Sequence, residues 1–175
     1  RQMCIRDSYC TAWPVGTLLA QSFDPEILEQ VGCGMAADMQ AMRIDLLLGP
    51  GMNIQRDPMC GRNFEYFSED PLISGKMASA MVRGLQSLPG GGGCIKHYAA
   101  NNQETNRNAV DSVIGQRALR EIYLEPYKIA IQESQPLSIM SSYNLINGVP
   151  TADSYDLCTD PVSYTHLRAH ETRHD

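Results

Sequence analysis

Short apolar runs alternate with longer amphipathic stretches along this chain. Runs at 46–48, 94–97 and 137–141 are bounded by Gly, Pro or polar residues and are typical of buried strands. Around them, apolar residues recur at helical spacing, and the helical stretch 116–134 is interrupted at Pro126. This alternation predicts an α/β fold in which helices cover a parallel sheet.

Two of the predicted helices begin at an Asp-Pro pair. Asp24 and Asp70 can cap a helix, and the prolines that follow suit the first helical position. The apolar stripes behind them are predicted to form core rather than a methionine ligand box: Ile27, Leu28, Val31, Met35, Met39 and Met42 in the first helix, and Leu72, Ile73, Met77, Ala80, Met81 and Leu85 in the second. The glycines at 90–93 predict a flexible link and no phosphate loop, because a strand and not a helix follows them.

Polar clusters follow each of the predicted strands. They lie at 61–65 (GRNFE), 96–107 (KHYAANNQETNR) and 140–144 (MSSYN). Many hydrogen-bond donors and few apolar atoms suit a ligand covered in hydroxyl groups, because every polar group buried in such a pocket needs a partner. Barrels of alternating strands and helices place their active sites at this end of the strands. The sequence therefore predicts a site for a small, neutral, sugar-like molecule.

Size and composition narrow the classes of function. The chain has 175 residues, 43% of them hydrophobic and 19% charged, with a net charge of −6. The length allows one ordinary domain but falls short of the roughly 250 residues of a closed eight-stranded barrel, which indicates a piece of a larger domain. No apolar run approaches the about 20 residues of a membrane span. We therefore expect no membrane as partner. The negative charge gives no basic patch for phosphate backbones, so we do not expect nucleic acid as a partner either.

Six cysteines are scattered without a C-x-x-C pair: Cys4, Cys10, Cys33, Cys60, Cys94 and Cys158. Neither a zinc site nor a redox motif is indicated, and we predict free, buried thiols. His166, His170 and His174 could line one helix face and bind a metal, but the favoured interpretation has no metal site. No secretory signal is visible at the start, but this absence says little about the compartment. A cytoplasmic location is slightly favoured over secretion.

Three long motifs carry a resemblance to a known family. GRNFEYFSEDP beginning at Gly61, KHYAANNQE beginning at Lys96 and SIMSSYNLINGVP beginning at Ser138 resemble glycoside hydrolase family 3, the beta-glucosidase type. The resemblance covers residues 9–160 and concerns the middle of the family's first, barrel-shaped domain. It implies an incomplete TIM-like (β/α) barrel fragment. The ends, 1–8 and 161–175, do not resemble the family and look like translated sequencing-adapter sequence.

The resemblance also implies an activity, the retaining hydrolysis of terminal beta-linked glucose from beta-glucosides, without a metal or organic cofactor. The substrate would be a beta-glucoside or an oligosaccharide. The family's nucleophile belongs to a Ser-Asp-Trp or Thr-Asp-Trp motif that this chain lacks, and its acid/base comes from a second domain. No catalytic residue is therefore assigned, and the chain by itself is expected to be inactive.

Five residues match substrate-binding positions of the family: Arg62, Lys96, His97, Arg107 and Tyr143. Ordinary alternatives stay open for them, namely a capping lysine beside a structural histidine, a surface arginine at 107 and a core tyrosine at 143. Glu65, Glu69 and Glu104 are not expected to be catalytic. By resemblance, Glu65 and Glu104 help to hold arginines and loops in place, while Glu69 lies beside a helix start, where negative charge is favoured.

Other functions remain open at this point. A beta-xylosidase or another exo-acting hydrolase of the same family would share these motifs. A beta-N-acetylhexosaminidase fits less well, because that group carries Gly-His-Gly where Tyr98-Ala99-Ala100-Asn101 stands here. From a different class, the chain could be a non-catalytic sugar-binding protein. The motifs leave the oligomeric state open.

Overall fold

The computed structural model describes residues 10–159, so the ends predicted to be non-native and the histidines at 166, 170 and 174 lie outside the described residues. The strands are β1 (Leu46–Leu47), β2 (Gly92–Tyr98), β3 (Asp111–Ser112), β4 (Ser138–Ser141), β5 (Leu145–Ile146) and β6 (Val149–Pro150). The helices are α1 (Gly16–Ala20), α2 (Pro25–Ala41), α3 (Pro71–Leu85), α4 (Gln116–Ala118), α5 (Glu125–Ser134) and α6 (Tyr155–Cys158).

The main sheet has the order β1-β2-β4 and is parallel throughout. Leu46 pairs with Gly92 at one end, and Ile95 pairs with Ile139 in the middle. Helix α3 connects β1 to β2, and α4 and α5 connect β2 to β4, as expected when parallel strands need crossovers. The carboxyl ends of the three strands therefore meet at one edge of the sheet.

Local signals at the helix starts are confirmed. The side chain of Asp24 accepts a hydrogen bond from the Glu26 amide at 2.9 Å, and Asp70 accepts from the amides of Leu72 and Ile73 at 2.8 and 2.9 Å. The interruption near Pro126 is confirmed as well. A π-helical segment, Leu119–Tyr123, precedes α5, and Pro126 sits in the first turn of α5, where its missing amide proton costs nothing.

Helix α3 lies at the centre of the helical layer, between α2 and α5. Ten of its residues are buried, among them Met77, Met81 and Leu85. Its close approach to α2 depends on two glycines. A Cβ atom on Gly32 would lie 2.6 Å from the Met81 carbonyl oxygen and 2.9 Å from Gly84 Cα. The backbones of the two helices therefore touch, which no larger residue at 32 or 84 would allow.

Three residues of the predicted apolar stripes lie outside the core. Met42 is half-buried and caps the C-terminal end of α2. Ile27 is 41% exposed and Leu72 is 57% exposed, whereas Leu28, Met39 and the rest of the second stripe pack into or against the core. Both exposed residues lie in the first turn of their helices. Because helical Cβ atoms tilt toward the N-terminus, side chains there point beyond the packed part of the helix.

The glycine run and the thiols also differ from the expectation. Gly92 and Gly93 are not a flexible link: they begin β2 and pair with β1, and a Cβ on Gly92 would lie 2.8 Å from the Leu137 side chain. Cys60 and Cys94 are buried as predicted, but Cys10, Cys33 and Cys158 are exposed, and Cys4 lies outside the described residues. Cys33 follows buried Gly32 by one residue, which turns its side chain about 100° away from the core face.

A second, small sheet has the order β3-β5-β6, with β3 parallel to β5 and β5 antiparallel to β6. Its strands have two residues each, too few to give a periodic signal in the sequence. Asn147 joins the loop after β3 to the turn between β5 and β6, because its side chain accepts from the Ile114 amide and donates to the Ile114 carbonyl, both at 2.9 Å. This small sheet thereby anchors the loop that carries Arg107 to the segment that carries Tyr143.

Candidate sugar-binding site

The carboxyl end of β2 brings two of the predicted site residues to one place. The pairing with β4 shifts register between Lys96 and Tyr98, so that His97 is the extra residue of a β-bulge. In a regular strand the side chains of Lys96 and His97 would point to opposite faces. Here the Lys96 ammonium lies 3.1 Å from Glu65 Oε2, and His97 Nδ1 lies 3.4 Å from the hydroxyl of Tyr66. Both side chains therefore contact neighbouring residues of the same loop, since Tyr66 directly follows Glu65.

His97 is buried, with 5% of its surface exposed, and its backbone is fixed from two sides. The Asn53 side chain accepts from the His97 amide and donates to the His97 carbonyl, both at 2.8 Å. The Tyr127 hydroxyl donates to the same carbonyl at 2.8 Å. The bulge residue thus keeps partners for both of its backbone groups, which buried polar groups require.

Arg62 joins this group from the loop that follows β1. It lies just before a 3₁₀ turn, Asn63–Glu65, and its Nε donates to Glu65 Oε1 three residues on. Glu65 therefore binds Arg62 with one oxygen and Lys96 with the other. Charge-assisted contacts of this kind are stronger than hydrogen bonds between neutral groups.

A second carboxylate, Glu104, extends the cluster toward Arg107. Glu104 Oε1 lies 3.5 Å from Arg62 Nη1 and accepts from the Asn101 side chain at 2.9 Å. Glu104 Oε2 lies 3.0 Å from Arg107 Nη1. The same Asn101 amide nitrogen donates to the Tyr66 hydroxyl at 3.0 Å. Two carboxylates thus tie the three predicted cations together, and the loops after β1 and β2 are joined through them.

Tyr143 completes the set from the segment after β4. The guanidinium carbon of Arg107 lies 5.1 Å from the centre of its ring, within the range of a cation–π contact. Tyr143 is 66% exposed, so the alternative of a core tyrosine is wrong. Arg107 has a side chain 41% exposed, so it fits both a surface position and the rim of a pocket. The structure therefore brings all five predicted residues into one connected cluster.

The pKa values in this cluster follow from burial and neighbouring charge. Burial alone would raise the pKa of Glu65, but the hydrogen bond from Arg62 and the charge of Lys96 outweigh burial and lower it. The pKa of Glu104 is lowered in the same way by Asn101, Arg62 and Arg107 against the effect of burial. Both carboxylates therefore stay ionised at neutral pH.

The pKa of His97 lies well below that of an exposed histidine. Burial, and then the positive charges of Arg62 and Lys96, lower its pKa to about 4, although Glu65 and Glu104 pull it upward. The imidazole is therefore neutral at pH 7. A neutral imidazole has one donor and one acceptor nitrogen, whereas lysine and arginine side chains only donate.

Sequence reasoning missed two residues that organise the site, Asn53 and Tyr66. Asn53 follows the Gly-Pro-Gly turn at the end of β1, and Tyr66 lies within the first long motif. Both are buried, and each contacts a residue far away in the sequence. The position of Asn53 after a strand and that of Tyr66 inside a polar motif are signals that each residue lies near the site. The contacts that each residue makes depend on the tertiary structure and cannot be predicted from these signals.

Between residues 10 and 159, no group of three or more His, Cys, Asp or Glu side chains could hold a metal ion. None of the helices in the described part of the chain is long and apolar enough to cross a membrane.

Comparison with known proteins places this arrangement in context. The family described as "Glycosyl hydrolase family 3 N terminal domain" matches residues 2–162. A beta-glucosidase from Ruminococcus albus is 51% identical over 146 residues, which are 83% of this chain and 15% of that protein. An exo-alpha-(1->6)-L-arabinopyranosidase from Bifidobacterium longum is 47% identical over 86% of this chain and 20% of that protein.

A solved structure shows the same fold. Beta-glucosidase 3B from Thermotoga neapolitana, in complex with alpha-D-glucose, matches with a TM-score of 0.87 and 47% identity over 94% of this chain and 23% of that chain. The predicted fold class, an incomplete TIM-like (β/α) barrel with parallel strands alternating with helices, is thereby confirmed. The chain spans 15% and 20% of the two curated relatives, so it corresponds to one part of such proteins.

Proposed function

This chain belongs to glycosyl hydrolase family 3, and from that membership we propose that residues 9–160 are part of the barrel domain of a retaining beta-glucosidase. The substrate is a beta-glucoside or oligosaccharide from which terminal beta-linked glucose is removed. Two observations support this proposal: beta-glucosidases are among the most similar relatives, and a similar solved structure contains glucose.

One observation carries the assignment of the site: Arg62, Lys96 and Arg107 converge on the two carboxylates Glu65 and Glu104. This pairing holds three donor-rich side chains at the carboxyl edge of the parallel sheet, and the two carboxylates offset the repulsion between the three positive charges. Glucose offers a hydroxyl on nearly every carbon, and each hydroxyl can accept from a cation. We assign Arg62, Lys96 and His97 to hydroxyl groups of the glucose that is released.

Arg107 and Tyr143 lie at the more exposed side of the cluster. We assign them to the rim of the pocket, where the tyrosine ring offers an apolar face to the sugar and its hydroxyl offers a hydrogen bond. The cation–π contact between them keeps both side chains in place.

The reaction needs two further carboxyl groups, a nucleophile that forms a glycosyl-enzyme and an acid that protonates the leaving oxygen. Glu65 and Glu104 are unsuited to the role of acid, because both have lowered pKa values and both are bound to arginine. We propose that the nucleophile and the acid/base are supplied by parts of the enzyme beyond this chain. The 175-residue chain alone would then bind sugar without cleaving it.

The test begins with recovery of the longer coding sequence from the source DNA. Its product is assayed on an aryl beta-glucoside beside the 175-residue chain. Activity of the long form alone supports the proposal. Activity of neither form, with glucose binding retained, would instead favour a non-catalytic sugar-binding protein. Reads from several independent clones that continue across residue 160 into 161–175 would refute the adapter origin that we propose for the ends.

A second candidate substrate follows from the Bifidobacterium longum relative, an arabinopyranosidase. Arabinopyranose and xylose are both pentopyranoses and lack the exocyclic hydroxymethyl group of glucose. An aryl beta-xyloside and an aryl alpha-L-arabinopyranoside therefore belong in the same assay. Faster hydrolysis of either one than of the glucoside would move the assignment to a pentopyranosidase of this family.

A further inference from the structure

The orientation of the Asn53 side chain is fixed by chemistry that does not depend on hydrogen positions. A backbone amide can only donate and a backbone carbonyl can only accept. The Asn53 atom 2.8 Å from the His97 amide must therefore be the oxygen, and the atom 2.8 Å from the His97 carbonyl must be the nitrogen. Oδ1 of Asn53 is thus an acceptor on the side of the imidazole.

The ring of His97 meets the same oxygen. Nδ1 lies 3.2 Å from Asn53 Oδ1. A bare Nδ1 would place two lone pairs against each other, so a proton on Nδ1 is the arrangement that this contact favours. The Tyr66 hydroxyl, 3.4 Å from Nδ1, accepts from Asn101 at 3.0 Å and can adapt to either tautomer because a hydroxyl both donates and accepts.

We propose that Asn53 is a positioning residue that holds His97 in its Nδ1-protonated tautomer, so that the lone pair of Nε2 accepts a hydrogen bond from a sugar hydroxyl. The second half of this statement rests on the proposed function, whereas the tautomer does not. Within residues 10–159, both hydrogen-bond contacts of the ring involve Nδ1, which leaves Nε2 for a ligand.

An acceptor at this position has a chemical purpose. Lys96, Arg62 and Arg107 are donors only, and the oxygens of Glu65 and Glu104 are engaged by these cations. A sugar hydroxyl must donate its own proton as well as accept one, and a buried hydroxyl without an acceptor is costly. Nε2 of a neutral His97 is such an acceptor. The pKa of about 4 keeps it available through the neutral range.

The tautomer can be read by ¹⁵N NMR of the histidine rings at pH 7 in the 175-residue chain. The chain has four histidines, so a His97→Gln variant assigns the signals of His97. We expect its Nδ1 to resonate at the shift of a protonated nitrogen and its Nε2 at the shift of a bare one. The reverse pattern, or averaged signals of exchanging tautomers, would overturn the proposal.

Three variants separate Asn53 from its neighbours. Asn53→Asp keeps an acceptor oxygen for Nδ1 but loses the N–H that donates to the His97 carbonyl, and it should keep Nδ1 protonated. Asn53→Ala should release the ring toward the Nε2-protonated form. Tyr66→Phe removes the other contact and should leave the wild-type pattern unchanged. If the tautomer of His97 changes in Tyr66→Phe, then Tyr66 determines the tautomer, and the proposed role of Asn53 is refuted. If Asn53→Ala does not fold, the wild-type and Tyr66→Phe spectra still test whether Asn53 determines the tautomer of His97.

Glucose added to the longer enzyme tests the ligand contact separately. A shift of the Nε2 resonance of His97 on saturation with glucose supports the accepted hydrogen bond. An unchanged Nε2 resonance at saturation, with Nδ1 protonated, would overturn the sugar contact while the role of Asn53 stands. Absence of glucoside hydrolysis would count against the proposed function and not against the tautomer, which is measured without substrate.

Discussion

The Lys96 ammonium lies 3.1 Å from Glu65 Oε2, although Lys96 lies in β2 and Glu65 lies in the loop that follows β1. The other oxygen of Glu65 holds Arg62. One carboxylate therefore keeps two cations side by side at the carboxyl ends of β1 and β2. Two cations beside the same carboxylate repel each other. The arrangement of the site therefore depends on this carboxylate as much as on the side chains assigned to the sugar.

Replacement of Glu65 with Gln should destabilise the chain. The substitution keeps the shape of the side chain but removes the carboxylate that pairs with Lys96, which is 14% exposed. It leaves Arg62, which is 21% exposed, with the longer contact to Glu104 at 3.5 Å. Breaking a buried pair costs about 3–5 kcal/mol and an exposed pair about 1 kcal/mol or less, so we expect about 2 kcal/mol for this partly buried cluster. Urea unfolding at pH 7 measures the loss.

Glu69→Gln is the matched control for that experiment. Glu69 is exposed and lies outside the ion-pair cluster, so its substitution should change the free energy of unfolding by no more than about 0.5 kcal/mol. Equal effects of the two substitutions would contradict the importance of the shared carboxylate.

His97 should make stability fall as the pH is lowered from 7 to 5. The unfolded histidine binds a proton near pH 6.5, whereas the folded one does so only near pH 4, opposed by burial and by Arg62 and Lys96 despite Glu65 and Glu104. In this interval the unfolded state binds more protons, so the folded state loses stability with acidification. The expected loss is about 2 kcal/mol from pH 7 to 5.

His97→Gln isolates this contribution, because the other ionisable groups are the same in both chains. Urea unfolding at pH 7 and 5 should show a smaller loss for the variant than for the wild type. Parallel pH dependences would mean that the pKa of His97 is not lowered in the folded chain.

Gly84→Ala should destabilise the packing of α2 on α3. The new Cβ would meet the Glu29 carbonyl oxygen and would lie 2.8 Å from both the Cys33 nitrogen and Gly32 Cα, all of them backbone atoms. The helices must then move apart, which we expect to cost about 2 kcal/mol or more, although alanine favours a helix by about 1 kcal/mol. Thermal and urea unfolding measure the change.

Gly61→Ala is the control for that clash, since a Cβ on Gly61 meets nothing within 4 Å. Its effect should stay within about 0.5 kcal/mol. A Gly84→Ala chain as stable as the control would show that the two helices are less closely packed than described.

Arg107 and Tyr143 should be energetically coupled. A double-mutant cycle with Arg107→Gln and Tyr143→Leu should give a coupling of about 0.5–1 kcal/mol, the range of an exposed cation–π contact. The same cycle with Arg83→Gln, whose guanidinium pairs with Glu29 on α2, serves as reference and should give a coupling near zero. A zero coupling for Arg107 as well would remove the link that we describe at the rim of the site.

Much of the fold could be predicted from local signals. Asp24 and Asp70 mark helix starts, because each one caps backbone amides only two or three positions away. The strands predicted at 46–48, 94–97 and 137–141 are bounded by Gly, Pro or polar residues, which end regular structure. The prediction of a flexible link at Gly92 and Gly93 is wrong, because a glycine in a strand cannot be told from a glycine in a link until its close partner is known. Here that partner is Leu137 for Gly92 and Gly49 for Gly93.

The site, like the fold, could be predicted only in part from the sequence. The charged residues Arg62, Lys96 and Arg107 stand out in polar motifs after strands, and their convergence follows from the parallel sheet. The roles of Asn53 and Tyr66 could not be predicted, because an asparagine that clamps a bulge looks like any polar loop residue in the sequence. The same holds for β3, β5 and β6, whose pairing is decided by tertiary contacts.

The central claim is that Lys96 helps to bind the sugar in a beta-glucosidase. Its most direct test compares kcat/KM for an aryl beta-glucoside between the longer enzyme and its Lys96→Met variant, with Lys76→Met, an exposed lysine on α3, as control. We predict a loss of about a hundredfold or more for Lys96→Met, as for other charged donors to a reacting substrate, and no change for Lys76→Met. Equal activity of the two variants would contradict the claim.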